Sequence, residues 1–109
     1  MRKRYEFELY DVFEKLNKKN LEKNIKYILR RERLWKRGWR IVFPAGALET
    51  EEEVDGELFF QYDFEIFAAD LNTLLYYGTV YGTADADTKE IVWMNVELKE
   101  ASPWVEVMG

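Results

Sequence analysis

The sequence contains no cysteine and no histidine. Without cysteine, the chain has no disulfide, no thiol nucleophile and no thiolate ligand for a metal. Without histidine, it lacks the most common general base and the most common transition-metal ligand. Catalysis would have to rely on carboxylates, Lys, Tyr, Ser or Thr, with a hard cation such as Mg²⁺ held by oxygen ligands. These absences favour a non-enzymatic protein, and we predict no cofactor and no metal.

Long apolar runs are also missing. No stretch approaches the ~18 uninterrupted apolar residues that a membrane span needs, and Glu and Asp interrupt the N-terminus where a signal peptide would be apolar. Hydrophobic residues nevertheless make up 48% of the 109 residues and aromatic residues 17%, which is ample material for a core. We therefore expect a cytoplasmic protein that folds as a single domain over residues 1–109.

Positive charge is scarce outside the N-terminal part of the chain. Residues 1–40 carry 14 of the 16 Lys and Arg residues and 6 of the 21 acidic residues, a net charge of +8. Residues 41–109 carry 2 basic and 15 acidic residues, a net charge of −13. Such asymmetry indicates a surface for a polyanion, an internal electrostatic contact, or both. We expect a basic helical part over residues 1–38 and an acidic β-sheet part over residues 39–109.

Two helices are predicted in the basic part. The first spans about residues 4–17, where apolar residues recur at helical spacing, namely Tyr5, Leu9, Val12, Phe13 and Leu16. Apolar and polar residues also alternate at the start of this segment, so residues 4–11 can be helix or strand. The second helix is predicted to begin at an N-cap, Asn20, and to end before Gly38. A break over Asn17–Asn20 separates the two helices, because their apolar faces point in different directions.

Strand patterns dominate after Gly38. Strands are predicted over residues 39–44, 57–67, 73–83 and 90–99, with a last edge strand over 103–107. Residues 49–57 are predicted to be an acidic loop that ends in an Asp55-Gly56 turn. Helices followed by strands with short connections predict an α+β fold, in which two N-terminal helices pack on a four- to five-stranded antiparallel meander.

Six cations in the second predicted helix follow one another at intervals of four, three, four, three and four residues. We call this set the basic row: Lys19, Lys23, Lys26, Arg30, Arg33 and Arg37. On a helix the row occupies an arc of about 80°, nearly opposite the apolar stripe, and its like charges repel one another. An anion along the row relieves that repulsion. The anion can be a solvent ion, the chain's own acidic segment or a nucleic-acid backbone.

The leading hypothesis is a small binding protein that presents the basic row to nucleic acid or another polyanion. Tyr27, Trp35 and Trp39 lie among the cations and could stack on bases, although Trp35 falls on the apolar side of the helix. No nucleic-acid-binding motif accompanies the row, so we expect binding without sequence specificity.

An acidic segment, residues 49–57, supplies a second hypothesis. It contains six carboxylates: Glu49, Glu51, Glu52, Glu53, Asp55 and Glu57. By default such a run is a solvated loop. Ordered carboxylates can also imitate nucleic acid and occupy the basic groove of another protein, as in inhibitors and adaptors from mobile elements. The alternative is therefore an acidic inhibitor or adaptor that binds a protein partner through its sheet side. The sequence indicates neither a membrane partner nor a small-molecule substrate.

A third hypothesis rests on a resemblance. Asp87 is followed ten residues later by Glu97-Leu98-Lys99 on a predicted strand, which resembles the Asp…(Glu/Asp)-x-Lys arrangement of the PD-(D/E)xK nuclease superfamily. The resemblance implies a Mg²⁺-dependent nuclease. Asp87 and Glu97 would hold the cation, and Lys99 would stabilise or activate the attacking water.

Overall fold

A computed structural model of the chain describes residues 3–70 and 72–101. In chain order these residues form one helix and six strands: β1 (Arg4–Tyr10), α1 (Lys18–Arg31), β2 (Arg40–Val42), β3 (Glu49–Val54), β4 (Glu57–Phe67), β5 (Leu74–Asp85) and β6 (Ile91–Glu100). The predicted α+β class and the antiparallel sheet are confirmed, whereas the prediction of two helices and four to five strands is wrong. The strand predicted over 103–107 lies outside the described residues.

All six strands belong to one antiparallel sheet. Its order is β1-β6-β5-β4-β2, and β3 pairs with β4 as well. β2 pairs with the end of β4 and β3 pairs with its first half, so the two short strands share one edge of β4. β1 forms the opposite edge of the sheet and pairs with β6. Because β1 and β2 lie at opposite edges, the chain segment that contains α1 crosses the sheet between them.

The first predicted helix is a strand. Tyr5, Phe7 and Leu9 alternate with exposed residues along β1 and pack against the core. The strand pairs with β6, at the far end of the described chain, in a register that places Tyr5 opposite Leu98. Apolar residues in this segment fit both a helix and a strand, and pairing with β6 selects the strand. A local pattern contains no information about a partner so distant in sequence.

α1 begins before the predicted N-cap. Asn17 caps the helix, because its side chain accepts a hydrogen bond from the backbone N–H of Asn20 at 2.8 Å. The Asn20 side chain instead donates to the carbonyl of Lys15 at 2.8 Å. Both contacts fix the helix start to the segment that follows β1.

The helix also ends earlier than predicted, at Arg31. Arg33 adopts a left-handed backbone conformation with a φ of 60°, and the backbone N–H of Leu34 donates to the carbonyl of Leu29 at 2.8 Å. This turn closes the C-terminus of the helix and brings Leu34 against the core. Packing of the residues after the turn therefore overrides their helical spacing, and Arg33 and Arg37 lie beyond α1.

The acidic segment forms a strand and a turn rather than a loop. β3 and β4 are joined by the predicted Asp55-Gly56 turn, which is confirmed. Asp55 and Gly56 have φ angles of 50° and 80°, as a two-residue type I′ hairpin turn requires. Backbone hydrogen bonds of the hairpin define β3, so the strand forms although every one of its residues is exposed.

α1 covers one face of the sheet. The helix buries Leu21, Ile25, Ile28 and Leu29, which share a core with alternate side chains of the central strands. Along β4 the buried positions are every second residue from Leu58 to Ile66, in agreement with the strand predicted over residues 57–67. We call the opposite side of the sheet the open face. Within the described ranges, no helix is both long and apolar enough to cross a membrane.

Candidate functional site

The basic row keeps its helical register only along α1. Its first four members, Lys19, Lys23, Lys26 and Arg30, lie on the helix. Their spacing places them within an arc of about 60° and over roughly 16 Å, on the side roughly opposite the buried stripe. Arg33 and Arg37 are exposed in the segment between α1 and β2. The prediction of six cations on one helix face is therefore wrong for these last two residues.

Two cations of the row have acidic neighbours. Lys23 Nζ lies 2.8 Å from Glu14 Oε2, and Lys26 Nζ lies 3.1 Å from Glu22 Oε1. The hydrogen bond from Lys23, followed by that from Asn24, lowers the pKa of Glu14. Both ion pairs are partly exposed, and pairs of this kind contribute little to stability. A stronger anionic partner can therefore displace Glu14 and Glu22 at small cost.

The remaining cations of the row have no ion-pair partner among residues 3–70 and 72–101: Lys19, Arg30, Arg33 and Arg37. Among the described residues, the acidic segment forms one ion pair with α1, at 2.5 Å between Lys18 Nζ and Glu49 Oε1. Lys18 does not belong to the row. Of the three anions considered for the row, the chain's own acidic segment is thus not bound to it in this part of the chain.

The three aromatic residues near the row differ in exposure. Tyr27 is 56% exposed on α1, and its position lies beside the row on the helical wheel. Trp35 and Trp39 are partly buried against the core and contact each other edge to face, with ring centroids 5.7 Å apart. Lys26 Nζ lies 5.7 Å from the centroid of the Trp35 ring, a cation–π distance. Tyr27 is therefore the aromatic side chain of this group that is most available to a nucleic-acid base.

The acidic segment does not gather its six carboxylates on one surface. Alternation along β3 puts Glu49, Glu51 and Glu53 on the side of α1 and Glu52 on the open face. Asp55 lies in the turn, and Glu57 begins β4. The second hypothesis, a protein partner bound through these carboxylates, stays a prediction.

The structure does not bring the three nuclease-like residues together. Glu97 and Lys99 lie on β6, and Asp87 lies in the turn between β5 and β6. The strand between them separates Asp87 from Glu97 by roughly 20 Å. The backbone N–H of Asp87 donates to Asp85 Oδ1 at 2.8 Å as part of that turn. Among the described residues, no group of three acidic side chains is placed to hold a metal ion.

The open face holds a polar cluster that the sequence pattern does not indicate. Asn95 is fully buried there, and its Nδ2 donates to Glu6 Oε1 at 3.2 Å and to the Tyr81 hydroxyl at 2.8 Å. The Tyr81 hydroxyl in turn donates to Glu97 Oε1 at 3.4 Å. Burial, and then the charges of Glu97 and Glu6, raise the pKa of Tyr81. Glu6 and Asn95 are 89 residues apart in sequence, so no local motif can signal their contact.

No protein-family model, no curated protein and no solved structure matches this chain. Similarity therefore assigns neither a family nor a function to it.

Proposed function

We propose that this protein binds the backbone of a nucleic acid through the basic row, without sequence specificity. The observation that carries the proposal is the position of the four cations on α1. They share the side of the helix opposite the core, and in the described part of the chain none of them forms an ion pair with the acidic segment. A positively charged helix side of an acidic protein is thus left for an external anion.

The dimensions of this surface suit a phosphate backbone. Four cations over roughly 16 Å match about five phosphates of one strand, whose charges are ~3.4 Å apart along the axis of a duplex. Binding releases the counterions condensed on those phosphates, which makes the affinity strongly dependent on salt. Phosphate contacts position a protein on nucleic acid but carry no sequence information. A surface made of Lys and Arg on one helix side therefore supports binding without sequence preference.

Tyr27 adds a contact of a different kind. Its exposed ring can stack on an unpaired base, a contact that contributes ~1–3 kcal/mol per base in single-stranded complexes. A base inside a duplex is not available for such stacking. We therefore expect Tyr27→Ala to weaken binding to a single-stranded oligonucleotide more than binding to a duplex of the same length.

A salt titration of oligonucleotide binding tests the proposal. Fluorescence anisotropy is measured with labelled DNA and RNA at several salt concentrations, for the wild type and for Lys19→Glu/Arg30→Glu. These two residues are chosen because neither has an ion-pair partner among the described residues. Reversing both charges should lower the affinity at ~50 mM salt by more than tenfold and flatten the salt dependence.

A matched variant controls for net charge. Lys3→Glu/Arg40→Glu makes the same change in charge at two exposed positions outside α1, and it should retain most of the wild-type affinity. Circular dichroism is used to check that both variants are folded. The proposal would be contradicted if both variants lost the same amount of affinity, or if the wild type did not bind at ~50 mM salt.

A further inference from the structure

Two pairs of like charges face each other across β1 and β6. The antiparallel register places Arg4 opposite Lys99 and, two residues further along, Glu6 opposite Glu97. Like charges directly opposite each other destabilise a sheet. No ion pair within 4.0 Å joins these four side chains to one another or to any other described residue. The open face thus keeps a positive pair and a negative pair side by side without neutralising either of them.

A shallow cavity lies over these two pairs. Its volume is about 440 Å³, within the range of small-molecule sites. The lining includes Tyr5 of β1, and Gly78 and Leu98 at the β5–β6 ladder. The remaining walls consist of the two charged pairs and two polar side chains of β5: Arg4, Glu6, Glu97, Lys99, Tyr77 and Thr79. The cavity is therefore electrically polarised, with cations at one end and carboxylates at the other.

The carboxylate end is held in place by hydrogen bonds around the buried Asn95 side chain. Asn95 is 0% exposed, and it links Glu6 to Tyr81, which contacts Glu97. Asn95 Oδ1 is buried and has no hydrogen-bond partner among the described residues. A buried oxygen without a partner is unfavourable, so packing alone does not explain an asparagine at this position of the sheet. This network keeps the two carboxylates close together despite their repulsion. Preorganised charges of this kind are typical of ligand sites.

We propose that this cavity binds a small dipolar ligand, with a guanidinium group between Glu6 and Glu97 and a carboxylate group near Arg4 and Lys99. Residues two apart on a strand are separated by about 7 Å, so the ligand must carry its two charges at about that distance. 4-Guanidinobutyrate has this form, and free arginine has it with an additional α-ammonium group beside the carboxylate. The planar guanidinium fork can donate to two carboxylates at once. The site is separate from the four cations of the basic row on α1, which lie on the other side of the sheet.

Isothermal titration calorimetry with three probes tests the inference. 4-Guanidinobutyrate carries the guanidinium and the carboxylate, agmatine carries an ammonium group in place of the carboxylate, and a Gly-Gly-Arg peptide presents a guanidinium and a carboxylate at a polypeptide end. We expect 4-guanidinobutyrate and arginine to bind at least tenfold more tightly than agmatine. A peptide that binds more tightly than free arginine would overturn the assignment to a small molecule.

Variants at each end of the cavity make the test specific. Glu97→Gln should weaken the binding of all guanidinium compounds at least tenfold. Lys99→Gln should weaken the binding of 4-guanidinobutyrate and should not weaken the binding of agmatine, whose ammonium group Lys99 repels. Glu51 is an exposed carboxylate on the α1 side of the sheet, so Glu51→Gln serves as the matched control. It should change the binding of neither compound. The proposal would be overturned if agmatine bound as tightly as 4-guanidinobutyrate, or if the control variant lost as much affinity as Glu97→Gln. It would also be overturned if millimolar ligand gave no measurable heat of binding.

Discussion

Gly78 leaves the space that the Phe64 ring occupies, and Gly78→Ala would fill it. The two residues are direct partners in the β4–β5 ladder. A Cβ atom at position 78 would lie 2.2, 2.3 and 2.7 Å from Cζ, Cε2 and Cε1 of Phe64, whereas carbon atoms in contact prefer ~3.5–4.0 Å. The ring would have to move by more than about 1 Å.

Neither partner can retreat easily from this clash. Gly78 is paired with Phe64 on one side and with Leu98 on the other, so the backbone is fixed by both neighbouring strands. The Phe64 ring is 1% exposed and packs against Phe43, with ring centroids 6.0 Å apart. Overpacking a core typically costs ~1–3 kcal/mol. Because the added methyl group would clash with three ring carbons, we expect Gly78→Ala to lower the free energy of unfolding by about 3 kcal/mol.

Urea unfolding followed by circular dichroism measures this cost. A double-mutant cycle with Phe64→Leu isolates its cause, since leucine lacks the three ring atoms that clash. We expect Gly78→Ala to cost at least ~1.5 kcal/mol less in the Phe64→Leu background than in the wild type. Additive effects of the two substitutions, or a cost of Gly78→Ala below ~0.5 kcal/mol, would refute the packing argument.

Three further predictions concern the helix start and two titrating side chains. Asn17→Ala removes the N-cap of α1 and should lower the free energy of unfolding by about 1 kcal/mol in urea unfolding, whereas an unchanged midpoint would show that the cap is dispensable. Burial, and then the charge of Glu51, raise the pKa of Tyr62 to about 12. Because Tyr62 ionises near pH 10 when unfolded, stability should fall as the pH rises from 10 to about 12. In Tyr62→Phe this fall should be smaller, and an identical alkaline limb would contradict the assignment. The pKa of Glu14 is lowered by its hydrogen bond from Lys23, so its contribution is present above the unfolded pKa and lost as pH falls through the folded one. Glu14→Gln should therefore reduce the difference in Tm between pH 6 and pH 3, and an unchanged difference would show that the pair contributes nothing.

The central strands could be predicted because their pattern is local. Apolar residues at every second position from Leu58 to Ile66 indicate that one face of β4 is buried. Asp55-Gly56 indicates the hairpin turn that precedes the strand. β3 could not be recognised in the same way. All of its side chains are exposed, so its only structural signal is the backbone pairing with β4.

The elements that were predicted wrongly depend on distant contacts. β1 is a strand because it pairs with β6, and Leu34 ends α1 by packing against the core after the turn at Arg33. Neither contact has a periodic signature in the local sequence.

The same division applies to the candidate sites. The register of the basic row from Lys19 to Arg30 follows from helical spacing and was predictable. The partner of Lys23 was not, because Glu14 precedes the helix and lies nine residues away. The polarised cavity depends on the pairing of β1 with β6, so each of its two charged pairs joins residues that are far apart in the sequence.

The most direct test of the proposed function is the slope of log affinity against log salt for duplex DNA. For four phosphate contacts the expected slope is about −3.6, and loss of two contacts in Lys19→Glu/Arg30→Glu should reduce it to about −1.8. The Lys3→Glu/Arg40→Glu control should keep the wild-type slope. A wild-type slope near zero, or the same slope in all three proteins, would contradict binding through the basic row.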